Sequence, residues 1–105
     1  MADDVPGPLS DAYDQAANGE RFWRGDRAEE AARWLAGQGL AILGGEIYER
    51  YSVGWATYLA SWDADEDDEA GLRTALEAIR RPAVLVGDAC GPPDQLRFFF
   101  ATLPA

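Results

Sequence analysis

The sequence predicts an α+β domain: a small antiparallel sheet of about five strands, with two main helices packed on one face. Three observations predict it. Two stretches repeat apolar residues at helical spacing, and several short runs rich in β-branched and aromatic residues sit between glycine and proline punctuation. The order of these elements leaves hairpins available and supplies too few helices for a doubly wound sheet. At 105 residues, one hydrophobic core can form without disulfides or metals. The apolar fraction of 48%, with four residues each of Trp, Tyr and Phe, supplies the buriable surface that offsets chain entropy.

Residues 1–9 contain Asp3, Asp4, Pro6, Gly7 and Pro8 with little to bury, and read as a flexible N-terminal tail. Residues 10–105 then form the single domain. Ser10 is placed to cap a short helix over Asp11 to Asn18, stopped at Gly19. A stronger helix is expected from Arg27 to Ala36, because Asp26 and Glu29 form a capping box and Ala28, Ala31, Ala32 and Leu35 fall on one stripe that Trp34 closes. Glu29 and Arg33, four residues apart, are spaced to pair on its wet side.

Leu40 to Leu43, then Gly44-Gly45, then Glu46 to Tyr51 read as two strands about a tight connection or a bulge. Val53 to Trp62 alternates large and small side chains and predicts a third strand, with a bulge at Gly54. Leu72, Ala75, Leu76 and Ile79 mark the second main helix, which ends in Arg80 and Arg81 before Pro82. Ala83 to Val86 reads as a short buried strand, Gly91 to Asp94 as a turn, and Gln95 to Leu103 as the final strand.

Charge and chemistry narrow the function. All nine basic residues are arginine, against 19 Asp and Glu, for a net charge of −10. Such a field repels nucleic acid and favours encounter with basic surfaces. With no histidine in the chain, the commonest neutral-pH acid/base and the commonest zinc ligand are both missing. The single cysteine, Cys90, excludes thiolate clusters and an internal disulfide, and points to a reducing compartment, so the cytoplasm is expected. The start of the chain has no signal-peptide pattern, and no window reads as a membrane span. Gly44-Gly45 is not followed by a phosphate-binding Lys-Ser or Lys-Thr, and the acids after Asp63 miss the glycine and glutamate positions of a calcium loop, so no cofactor or metal is expected.

Asp63 to Glu69 holds six acids in seven residues. One account is a solvated helix start that complements the macrodipole. The other is an anionic patch of Asp63, Asp65, Glu66, Asp67 and Asp68 that docks on a partner's basic side chains, with Trp55 and Trp62 as aromatic anchors or as core.

The stretch Gly39 to Tyr48, with an apolar strand followed by Gly44-Gly45-Glu46-Ile47-Tyr48, resembles the immunity protein 40 family of bacterial polymorphic-toxin systems. The hallmark there is Gly-Gly-Asp, an aliphatic residue and Tyr; Glu46 stands where aspartate is usual. The same order of helix, Gly-Gly hairpin, tryptophan-bearing strand through Trp55, acidic-start helix from Glu66 to Arg81 and aromatic strand at Phe98 to Phe100 extends the resemblance over residues 26–103. It implies a cytoplasmic antidote that binds and neutralises one cognate toxin. On that reading, Glu46 and Tyr48 join the acidic patch around Trp55 and Trp62 as expected partner-binding residues. A net charge of −10 suits a basic toxin, such as a nuclease, whose phosphate ligands an acidic surface would imitate.

Two other readings stand beside it. One is a small acidic regulatory or assembly module that dimerises through an exposed edge at Gln95 to Leu103. The other is a carboxylate enzyme with Glu46 beside Tyr48 and Tyr58 in a tryptophan-lined pocket. The absence of histidine and of nucleotide or metal motifs favours binding over catalysis.

Overall fold

A computed structural model of the chain describes residues 5–50, 57–64 and 68–104. Trp55, Asp65, Glu66 and Asp67, with the expected bulge at Gly54, lie outside the described residues. The strands are β1 (Tyr13–Gln15), β2 (Arg21–Arg24), β3 (Leu40–Glu49), β4 (Thr57–Asp63) and β5 (Leu96–Pro104), and the helices are α1 (Ala28–Gly37), α2 (Asp68–Arg80) and α3 (Pro82–Val86). The strands form one antiparallel sheet in the order β1-β2-β5-β3-β4. The α+β class and the five-stranded antiparallel sheet therefore hold, and among the described residues no helix is long and apolar enough to cross a membrane.

The register divides the sheet's two faces. Trp23 and Ile47 both pair with Phe98, and Gly45 pairs with Phe100 and Trp62, so these side chains project to one side. There they meet the helices in a single core with Leu9, Ala28, Ala31, Ala32, Ile42, Ala75, Leu76 and Leu96. Alanines on α1 let it settle close to the sheet, and the larger Trp23 and Trp34 fill the margin with ring centroids 6.2 Å apart. Glu29 of α1 accepts two bonds from the Arg80 guanidinium of α2, 3.0 and 3.1 Å long, which ties the two helices together. The expected Glu29–Arg33 pair is also present, at 3.4 Å.

Several local expectations are corrected. Asp11 to Asn18 is not a helix: β1 and β2 form a hairpin whose turn is closed by Gly19, which has a φ of +91° and donates its N–H to the Ala16 carbonyl. Leu9 is buried in the core and Val5 packs against it, so the described part of the supposed tail belongs to the folded body. Asp26 does not cap α1; its carboxylate pairs with Arg24 at 2.6 Å, and Arg27 occupies the cap position, where its side chain accepts no bond from the helix N–H groups.

Gly44-Gly45 turns no hairpin. β3 runs straight through, with a register shift between Ile42 and Gly44, so of the two readings of that pair the bulge is the one formed. The physical need is close approach. A Cβ on Gly44 would strike the Trp62 carbonyl, and one on Gly45 the Phe99 carbonyl and the Trp62 ring.

Ala83 to Val86 is helical, not a strand, because Pro82 at the first helical position starts α3 with its φ preset and no N–H to lose. β5 is not an edge either. It is paired to β3 along its length and also to β2 at Arg97 and Phe98, so at those two positions the expected dimerisation edge from Gln95 to Leu103 is closed on both sides. The edge strands are β1 and β4.

Candidate functional site

Strand alternation and the bulge decide where the sequence-predicted residues go. Beyond the bulge, Glu46 pairs with Ser61 and Tyr48 with Tyr58, while Asp63 pairs with Gly44. Glu46, Tyr48, Tyr58, Ser61 and Asp63 therefore share the face of the β3–β4 ribbon that points away from the helices. Tyr58 is 51% exposed, and Asp63 is exposed at the end of the edge strand.

The Tyr48 hydroxyl donates to Glu46 Oε1 at 2.8 Å, which orients the carboxylate along the strand. Burial, reinforced by that bond and by the charges of Glu46 and Glu20, pushes the Tyr48 phenol up to about 12. The phenol therefore stays a neutral donor throughout the physiological range. Edge-on ring contacts at 5.3 Å to Phe22 and 5.8 Å to Tyr58 fix it further, and Phe22 leans on Phe99 at 5.5 Å. The result is an aromatic platform bearing carboxylates.

Trp62 does not join this group. It alternates to the opposite face, is 8% exposed and packs between Phe98 and Phe100 at 6.4 and 6.2 Å. As an anchor on the same surface as Glu46 it is ruled out by parity. Its indole N–H is buried with no hydrogen-bond partner among the described residues, a state that costs about 1–3 kcal/mol. Asp68 is the first residue of α2, in the helical layer. Of the predicted set, then, Glu46, Tyr48 and Asp63 come together, and Trp62 and Asp68 lie elsewhere.

The enzyme reading asked for Glu46 in a tryptophan-lined pocket. The cavity that Trp62 does line, about 360 Å³, opens between α2, α3 and the sheet, on the side away from Glu46. Among the described residues, no group of three or more His, Cys, Asp or Glu side chains is placed to hold a metal.

The distribution of charge is more informative than its sum. Arg24, Arg27, Arg33, Arg50, Arg80, Arg81 and Arg97 all stand in ion pairs with acids of this chain. Arg97 is the most buried of them. Its Nε donates to Asp14 Oδ2 at 2.8 Å and its Nη1 to the Asp94 and Leu96 carbonyls, while Arg50 reaches the same Asp14 oxygen at 3.3 Å. Arg21 is placed differently, 5.2 Å over the Tyr13 ring. With every arginine but Arg73 in an internal contact among the described residues, exposed acids such as Asp11, Glu20, Asp63, Asp88 and Asp94 set most of the outward field.

Sequence reasoning missed the cavity and the Arg97–Asp14 pair. The first depends on α3, whose apolar residues have the composition of a strand. The second joins residues 83 apart, and no local spacing announces it. Compared with known protein families, with curated proteins and with solved structures, the chain shows no match in any of the three.

Proposed function

We propose that this chain is a cytoplasmic immunity protein that neutralises a cognate basic protein toxin by direct contact, and that it acts by binding and not by catalysis. The observation that carries the reading is the β3–β4 face. Glu46 and Asp63 sit there beside the exposed Tyr58, on a molecule whose arginines are mostly paired internally. Carboxylates in that setting attract a partner's lysines and arginines over several ångströms and then pair with them on contact. The neighbouring tyrosines add flat, amphipathic area with little rotamer entropy to lose, the kind of surface that dominates interface energetics.

The resemblance of Gly44-Gly45-Glu46-Ile47-Tyr48 to the immunity pattern falls on this same strand. Its glycines shape the bulge, and its Glu and Tyr form the 2.8 Å hydrogen bond on the proposed docking face. A toxin whose natural ligand is a phosphate backbone would meet here a surface of like charge to that ligand. The test is protection. Cells expressing the product of the neighbouring reading frame should grow when this chain is co-expressed and stop growing when it carries Glu46→Gln with Asp63→Asn. Equal protection by that variant would overturn the assignment of the face.

A further inference from the structure

We propose that the cavity between α2, α3 and Trp62 is a binding site for a small amphipathic carboxylate, independent of the acidic face on the other side of the sheet. The cavity holds about 360 Å³, within the range of small-molecule sites. Trp62, Ala78 and Leu85 supply apolar walls, and Arg73 and Arg81 stand at its margin.

Two features separate this hollow from an ordinary packing gap. The first is α3 itself. It has no buried residue, and it holds Val84 77% exposed and Leu85 39% exposed beside the cavity, an arrangement that folding alone does not reward. The second is local charge. On a molecule of net charge −10, the described residues that border this hollow include two arginines and one acid, Glu77. Arg73 has no ion pair among the described residues. Arg81 meets Glu77 only at 3.7 Å with both side chains largely exposed, a contact that solvent screens and a ligand can displace.

An apolar body against Trp62, Ala78 and Leu85, with a carboxylate reaching a guanidinium at the margin, satisfies both features. A basic protein docking on the opposite face would be repelled from this margin, so the two sites select opposite charges.

The global field makes the test sharp, because a protein this acidic attracts cations unless local groups reverse the preference. The probes are octanoate, octylammonium and octanol, followed through the Trp62 indole N–H cross-peak of the full-length chain. Octanoate should shift that peak saturably and bind at least about tenfold more tightly than either of the others. In Arg73→Gln with Arg81→Gln the advantage over octanol should vanish, and Val84→Glu should weaken octanoate about tenfold. These positions are exposed, and an amide spectrum that keeps the parent's dispersion away from the cavity shows that the free variants fold. Octylammonium or octanol binding as tightly as octanoate would overturn the proposal. So would a peptide carboxylate, acetyl-leucyl-leucine, binding more tightly than octanoate, since that would make the site a protein-docking groove.

Discussion

Gly71 of α2 offers a substitution whose sign is decided by packing against propensity. A Cβ built there would strike the carbonyl oxygen and carbon of Ile42 in β3. In an exposed helix, Gly→Ala stabilises by about 1 kcal/mol. Here the obstructing atoms are backbone and cannot rotate aside, so α2 must lift from the sheet and loosen Leu72, Ala75 and Leu76 against the core. Overpacking of this kind costs roughly 1–3 kcal/mol, and a rigid carbonyl places it at the upper end. The net expectation for Gly71→Ala is a loss of about 2 kcal/mol, or roughly 8–16 °C in Tm for a domain of this size.

Gly37, the last residue of α1, supplies the control, because nothing lies within 4 Å of a Cβ there. Gly37→Ala should stabilise by up to about 1 kcal/mol. Urea unfolding followed by tryptophan fluorescence measures both. A Gly71→Ala protein as stable as the parent, or a destabilised Gly37→Ala, would refute the placement of α2 against β3.

Two further predictions concern charge. Asp14→Ala leaves the Arg97 guanidinium, 10% exposed, without its carboxylate but with its two carbonyl partners, so a loss of roughly 2–3 kcal/mol is expected. Glu77→Gln at the exposed pair should change stability by less than about 0.5 kcal/mol, and similar urea midpoints for the two variants would contradict the difference in burial. The Arg80 hydrogen bonds, with Arg33 adding to them, hold the Glu29 carboxyl below its ordinary value. A depressed carboxyl contributes stability that is present above its unfolded-state pKa and lost as pH falls through the folded one. Glu29→Gln should therefore be less stable than the parent at neutral pH and should converge on it in acid. A gap that persists below the carboxylate range would show that the ion pair is not its source.

Where local rules agree with tertiary packing, the sequence was a sound guide. The alanine stripe of α1, the Leu72 to Ile79 stripe of α2 and the aromatic run of β5 all formed where their periodicity placed them. The misses share a cause. The N-terminal hairpin rests on strands of three and four residues, too short to show a period, although Asn18-Gly19 between them is a turn signal in its own right. The β-branched run after Pro82 had strand composition, but the proline at the helix start, with its φ preset, outweighed it. The position of β5 at the centre of the sheet depends on long-range pairing that no local pattern contains.

The candidate site was half legible for the same reason. Alternation put Glu46 and Tyr48 on one face, but the side to which Trp62 points became readable only with the register across Gly45.

The central claim is that the β3–β4 face binds a basic toxin through its carboxylates. Titration calorimetry of this chain against the catalytically inactivated product of the neighbouring reading frame, at about 0.05 M and about 0.5 M salt, tests it most directly. Binding should weaken at least about tenfold across that range, and Glu46→Gln with Asp63→Asn should weaken it about tenfold at low salt while flattening the salt dependence. Binding that ignores both salt and these substitutions, or no binding at all, would contradict it.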